Sequence, residues 1–199
     1  MSSNASADTL RALLRGGADR LQIVAFLDAL APKARVAEVL TLHGKEVARL
    51  YAACAGGGTP TSEDIVPASL GDDKTVIFEG RNSLPVFSSF QKRFARMGTE
   101  LVGYNHQAMS FVTGPGIFVV KEPHTGADVE GELYFDYTAA PGAIPSGFPA
   151  FKPNDSGLSN LVYAHMKDYM RVVAKGVMVG AAYKKGKAEN AFFLLAREV

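Results

Sequence analysis

The sequence predicts an α+β fold: an N-terminal helical segment packed on a mostly antiparallel curved sheet or partial β-barrel with two further helices. Three observations carry this. Residues 1–57 have helical periodicity throughout, residues after Lys74 break into short β-rich pieces, and no strand–helix–strand alternation calls for a parallel sheet. The segments are a helical region over 1–57, a linker over 58–73, and a sheet or barrel unit over 74–199 with helices near 83–97 and 158–174.

In the first segment, Leu10, Leu13 and Leu14 share a face that ends at Gly16-Gly17. Leu21, Val24, Leu27 and Leu30 follow, with Asp19 placed to cap their helix. Pro32 suits the first turn of a third helix, because its missing N–H would be unpaired there anyway. Val47, Leu50, Tyr51 and Cys54 form a fourth stripe at i, i+3, i+4 and i+7, stopped by Gly56-Gly57-Gly58. Pro60, Pro67 and Gly71 give the next stretch its linker texture.

Beyond it, Lys74–Gly80 reads as a strand, 99–121 as two or three strand pieces broken at Gly114-Pro115-Gly116, and 130–137 as an alternating strand. Residues 177–183 and 190–197 are apolar on both faces and pair across a turn at Lys184-Lys185-Gly186-Lys187. The aperiodic, proline-rich stretch 138–157 is a long ordered loop. Two helices interrupt the strands. One is expected over Ser83–Met97, with Val86, Phe87, Phe90, Phe94 and Met97 inward and Lys92, Arg93 and Arg96 outward. The other is expected over Ser159–Ala174, with His165 on an apolar face beside Tyr169 and Val173.

Composition narrows the function classes. The 199 residues carry a formal net charge of +1, so no overall field attracts nucleic acid or an anionic membrane. Cys54 is the one cysteine, which favours a reducing compartment; no secretory signal or span of about 18 apolar residues is evident, and cytoplasm is the expectation. His43, His106, His124 and His165 lack metal-ligand spacing, so no metal is expected, and no cofactor motif is present.

Candidate binding residues come from two irregularities. Tyr104-Asn105-His106-Gln107 places four polar-capable side chains between apolar runs, and His165 interrupts an apolar face. Buried polar groups need partners, so these satisfy one another or await a ligand. Arg93, in the basic set Arg81, Lys92, Arg93 and Arg96 near Phe87, Phe90, Phe94 and Phe111, adds a cation for an anionic headgroup; a solvated helix face explains the same set. Glu132 and Asp136 share a strand face with Tyr134 as an acid–base pair or a solvated edge.

Val177-Met178-Val179-Gly180, the Lys-Gly turn and Phe192-Phe193-Leu194-Leu195 resemble the closing hairpin of small lipocalin-like (calycin-like) barrel proteins, and the segment Leu161–Tyr169 before it fits uncharacterised bacterial members. The resemblance implies an antiparallel barrel around an apolar ligand. This chain has no tryptophan, where those barrels carry one near the first strands, and no binding residue is transferred. The leading functional expectation is a hydrophobic or amphipathic small ligand, fatty-acid- or lipid-like, held in an apolar pocket bounded by the 99–121 strands and the 158–174 helix. The alternatives are a small enzyme using His106 or His165, and an interaction protein docking through its N-terminal helices. Oligomeric state stays open.

Overall fold

The computed structural model describes residues 9–84, 88–106, 114–154 and 163–199. Among them are five short α-helices: α1 (Leu10–Arg15), α2 (Arg20–Asp28), α3 (Pro32–Val39), α4 (Lys45–Ala53) and α5 (Ser62–Ile65). Local chemistry explains their starts. Thr9 accepts from the Ala12 N–H, Asp19 and Gln22 cap reciprocally, and Pro32 opens α3 without a side-chain cap. On α4, Val47, Leu50 and Tyr51 are buried, as is Cys54 just after it. As expected, no described residue before position 58 is a strand.

Eight strands follow: β1 (Val76–Asn82), β2 (Ser89–Met97), β3 (Glu100–His106), β4 (Phe118–Lys121), β5 (Tyr134–Asp136), β6 (Met166–Ala174), β7 (Val177–Lys184) and β8 (Lys187–Ala196). Each pairs antiparallel with the next, and β8 returns to β1 over Glu79–Asn82, closing a barrel in chain order. The β7–β8 hairpin turns at Lys185 and Gly186, both at positive φ (52° and 75°), the two-residue geometry whose twist matches that of paired strands.

Alternation then assigns the faces. Phe78, Phe94, Phe118, Phe135, Met170, Met178, Phe193 and Leu195 point inward and fill the barrel. The other face of β6–β8 (Val173, Val179, Ala181, Leu194) packs under α1–α4, against Leu10, Ile23, Leu27, Val39 and Leu50. The C-terminal strands are therefore covered on both sides. Phe193 and Leu195 serve one core, Leu194 and half-buried Phe192 the other. Gly103 on β3 fits the interior because a Cβ there would lie 2.4 Å from the Phe118 ring.

The stretch 58–73, expected as a linker, is itself packed. It forms α5 and a 3-10 turn at Ala68–Leu70, and its Ile65 and Val66 are buried against the interior cluster at one end of the barrel. The 138–154 stretch is ordered, as expected; Ile144, Phe148 and Phe151 cover Val102, Tyr104 and Ile117 on the outer face.

Two expected helices are strands instead. Ser89–Met97 is β2 and Met166–Ala174 is β6. Phe90 and Phe94, like Tyr169 and Val173, are four residues apart, a spacing that shares a face in a helix and in a strand alike. Helices covering β6 from outside make it apolar on both faces and erase the alternation that would identify a strand. Residues 85–87 and 158–162 of the two expected helices lie outside the described residues, as do Gln107 and Phe111.

The strand geometry also disperses the expected basic face. Lys92 points into the barrel. Arg96 binds Glu63 at 3.0 Å, Arg81 donates to the Leu40 carbonyl at 3.0 Å, and Arg93 donates to Gln91 at 2.8 Å. Glu132 pairs with Arg171 at 2.8 Å, whereas Asp136 accepts from Thr138 at 2.8 Å, so these two carboxylates are separately engaged.

Candidate functional site

Three features stand out: a buried polar cluster and one cleft at each end of the barrel. The cluster centres on Lys92, whose side chain is 3 % exposed. Its Nζ donates to Tyr137 Oη at 2.6 Å, Asn105 Oδ1 at 2.8 Å and Asp168 Oδ2 at 3.0 Å. Tyr137 Oη donates to Asp168 Oδ2 at 3.0 Å, and Asn105 Nδ2 donates to Tyr137 Oη at 3.0 Å. The rings of Phe118, Phe193, Phe135 and Tyr137 lie 4.8–5.3 Å from the same ammonium. Strand alternation builds the set: Lys92 from β2, Asn105 from its register partner on β3, Tyr137 just beyond β5, and Asp168 from β6.

Burial disfavours charge, so it holds the Lys92 ammonium below its ordinary pKa against the opposing pull of Asp168. Burial also pushes Tyr137 well above the ordinary phenol value, with Asp168 and Tyr163 adding to the rise. Tyr163 stacks on Tyr137 at 5.3 Å with the rings 8° apart.

The first cleft lies where β1 begins, β6 turns into β7 and β8 ends. Its volume is about 190 Å³, and Pro60, Phe78, Val172, Val177 and Met178 give it an apolar lining. Lys175 and Arg197 supply positive charge. Arg197 sits 5.2 Å from the Phe78 ring centroid and donates one Nη to the Asp64 carbonyl at 3.2 Å, while its buried Nε has no hydrogen-bond partner among the described residues. The two lining carboxylates are engaged elsewhere: Glu63 with Arg96, and Asp64 in the reciprocal cap with Thr61.

The second cleft, about 340 Å³, opens at the other end between the 138–154 stretch and the start of β6. Tyr137, Phe151, Ala164 and His165 are among its walls. Asn154 also lines it, but its Nδ2 already donates to the Ile117 and Tyr137 carbonyls at 2.8 Å each.

Of the residues singled out in the sequence, Asn105 joins the buried cluster and His165 lines the second cleft. His165 is exposed at positive φ (59°) rather than buried on a helix face, and the described lining of its cleft holds no carboxylate. Tyr104, Arg93 and His106 lie on the opposite strand face from Asn105. Tyr104 accepts from Arg93 at 3.4 Å and meets the His106 ring edge-on at 6.3 Å, with His106 exposed. The five residues therefore do not form one pocket.

Lys92, Tyr137, Asp168 and Arg197, which build the cluster or line the clefts, were not among the candidate binding residues of the sequence. The signal for Lys92 was present: read as a strand, Phe90-Gln91-Lys92-Arg93-Phe94 puts the lysine between two phenylalanines on one face. Among the described residues, no group of three or more His, Cys, Asp or Glu side chains is placed to hold a metal ion, and no helix is long and apolar enough to cross a membrane. Comparison with protein-family models, with curated proteins and with solved structures returned no match.

Proposed function

We propose that this chain binds a small amphipathic anion, a carboxylate on a compact apolar body, in the cleft walled by Phe78, Met178 and Arg197. The observation that carries the reading is Arg197, which lines this apolar cleft while its Nε has no hydrogen-bond partner among the described residues. An unmet donor on a charged group costs free energy, and a carboxylate recovers it through a charge-assisted hydrogen bond. Volume sets the ligand's size. An apolar cavity of about 150 Å³ accommodates benzene, so a cleft of about 190 Å³ suits a ring or short branched chain rather than a long fatty acid.

The reading narrows the hydrophobic or amphipathic ligand expected from the sequence to a short carboxylate and moves its seat. Phenylalanines occupy the barrel axis, so the ligand sits at the end of the barrel rather than along it. Docking through the N-terminal helices has less support. Their apolar faces are spent on β6–β8, with Leu21 the large apolar side chain of that region left exposed.

Calorimetric titration with benzoate and hexanoate, against benzyl alcohol as the uncharged control, tests the reading. The carboxylates bind, the alcohol does not, and Arg197→Met weakens binding by about tenfold or more. Equal binding of benzoate and benzyl alcohol, or no loss in the variant, defeats it.

A further inference from the structure

We infer that Lys92 is an imine-forming site for small apolar aldehydes, reached from the cleft that Tyr137 shares with His165. The inference is independent of the Arg197 cleft and concerns the opposite end of the barrel. Four requirements of amine chemistry meet in one cluster. The amine is desolvated among rings, which lowers the cost of losing its proton. A hydroxyl, Tyr137, lies 2.6 Å from Nζ as a proton relay. A carboxylate, Asp168, lies 3.0 Å from Nζ to steady an iminium cation. Aromatic faces at 4.8–5.3 Å favour that cation as they favour the ammonium.

The cluster stays satisfied in both protonation states. With Lys92 charged, its three N–H bonds meet three acceptors, and the Tyr137 hydroxyl donates to Asp168. Once the amine is neutral, the same hydroxyl can turn and donate to the nitrogen lone pair instead. Access runs past Tyr137, which lines the 340 Å³ cleft and bonds Nζ at once. In the reaction the Nζ lone pair attacks the carbonyl carbon and the carbonyl oxygen takes a proton through Tyr137. The nitrogen gives up its proton to the same relay, and loss of water from the carbinolamine leaves the imine. The charged or titratable groups facing Nζ are Asp168 from β6 and Tyr137 after β5, with Tyr163 stacked behind; the β3 contribution, Asn105, is neutral.

The test is to incubate the folded protein with butanal at pH 7 and cyanoborohydride, which reduces the imine to a stable secondary amine, and to map labelled lysines by tandem mass spectrometry. Lys92 is expected to label ahead of the exposed lysines, which stay protonated at that pH. Lys92→Arg should lose that label alone, and Tyr137→Phe should slow labelling by about a hundredfold. Labelled surface lysines with an unlabelled Lys92 in the wild-type protein overturn the inference, whatever the variants do.

Discussion

The barrel carries a buried cation, Lys92, toward one end and a half-buried one, Arg197, at the other, and the two are completed in different ways. Lys92 finds all three of its acceptors within the chain, from three different strands or their ends. Arg197, a lining residue of the first cleft, leaves its Nε without a partner among the described residues. A cation completed internally ties strands together and has no donor left over for an anion. One left incomplete still has a donor to offer a visitor. Structural weight and anion binding therefore fall on different residues.

The largest effect should come from breaking the completed set. Asp168→Ala leaves a buried, unpaired ammonium and should cost about 3–5 kcal/mol. Replacing both partners, Lys92→Met with Asp168→Leu, should cost far less than either single change, because no charge is stranded. Urea denaturation of Lys92→Met, Asp168→Leu and the double variant checks this; additive losses would show that Lys92 and Asp168 act separately.

Next in size is the aromatic packing beneath the ammonium. Gly103→Ala forces a methyl into the Phe118 ring, which lies 4.8 Å from Lys92, and should cost about 1–3 kcal/mol. A melting temperature equal to wild type would mean that this packing is loose.

Raising the pH sharpens the contrast, because Lys92 titrates and a guanidinium does not. The folded pKa of Lys92 lies below the unfolded 10.5, so between the two the unfolded chain holds more protons and stability rises with pH. Tyr51 and Tyr169, pushed up to about 12 chiefly by burial, act oppositely. Below pH 10 they are neutral in both states, and from pH 10 to about 12 their ionisation in the unfolded chain removes stability. Chemical denaturation across pH 7–12 should show the rise and then the fall. The rise should be missing from the Lys92→Met, Asp168→Leu double variant.

The smallest effect on folding belongs to Arg197→Met. It should stay within about 0.5 kcal/mol of wild type while abolishing most carboxylate binding. A loss of several kcal/mol would make Arg197 structural and remove the distinction between the two ends.

The sequence revealed elements where one periodicity dominated. Asp19 as a cap, Pro32 at a helix start, the α4 stripe and the Lys185-Gly186 turn are all local devices, and all are present. It misled where a strand has two buried faces or carries a buried charge. Lys92 looked like the solvated side of a helix because a lone lysine gives no sign of an aspartate 76 residues away. Asn105 was selected because it interrupts an apolar run, which is a sound reason, yet its neighbours Tyr104 and His106 came with it although alternation sends them to the other face. Arg197 gave no signal, since only the folded chain shows which of its nitrogens is unpaired.

Closure of the barrel bears on association as well as stability. A sheet that ends exposes a row of unpaired N–H and C=O groups, a template for a strand from another molecule. Pairing β8 with β1 leaves no such row along the eight strands. The narrowest seam is β3–β4, held by two register pairs, Val102 with Val119 and Gly103 with Phe118, and the 138–154 stretch lies over its outer face through Ile144, Phe148 and Phe151. That stretch therefore acts as a patch on the one join where a transient opening would offer strand edges to a second chain, and cutting it should convert a protein without edges into one that polymerises.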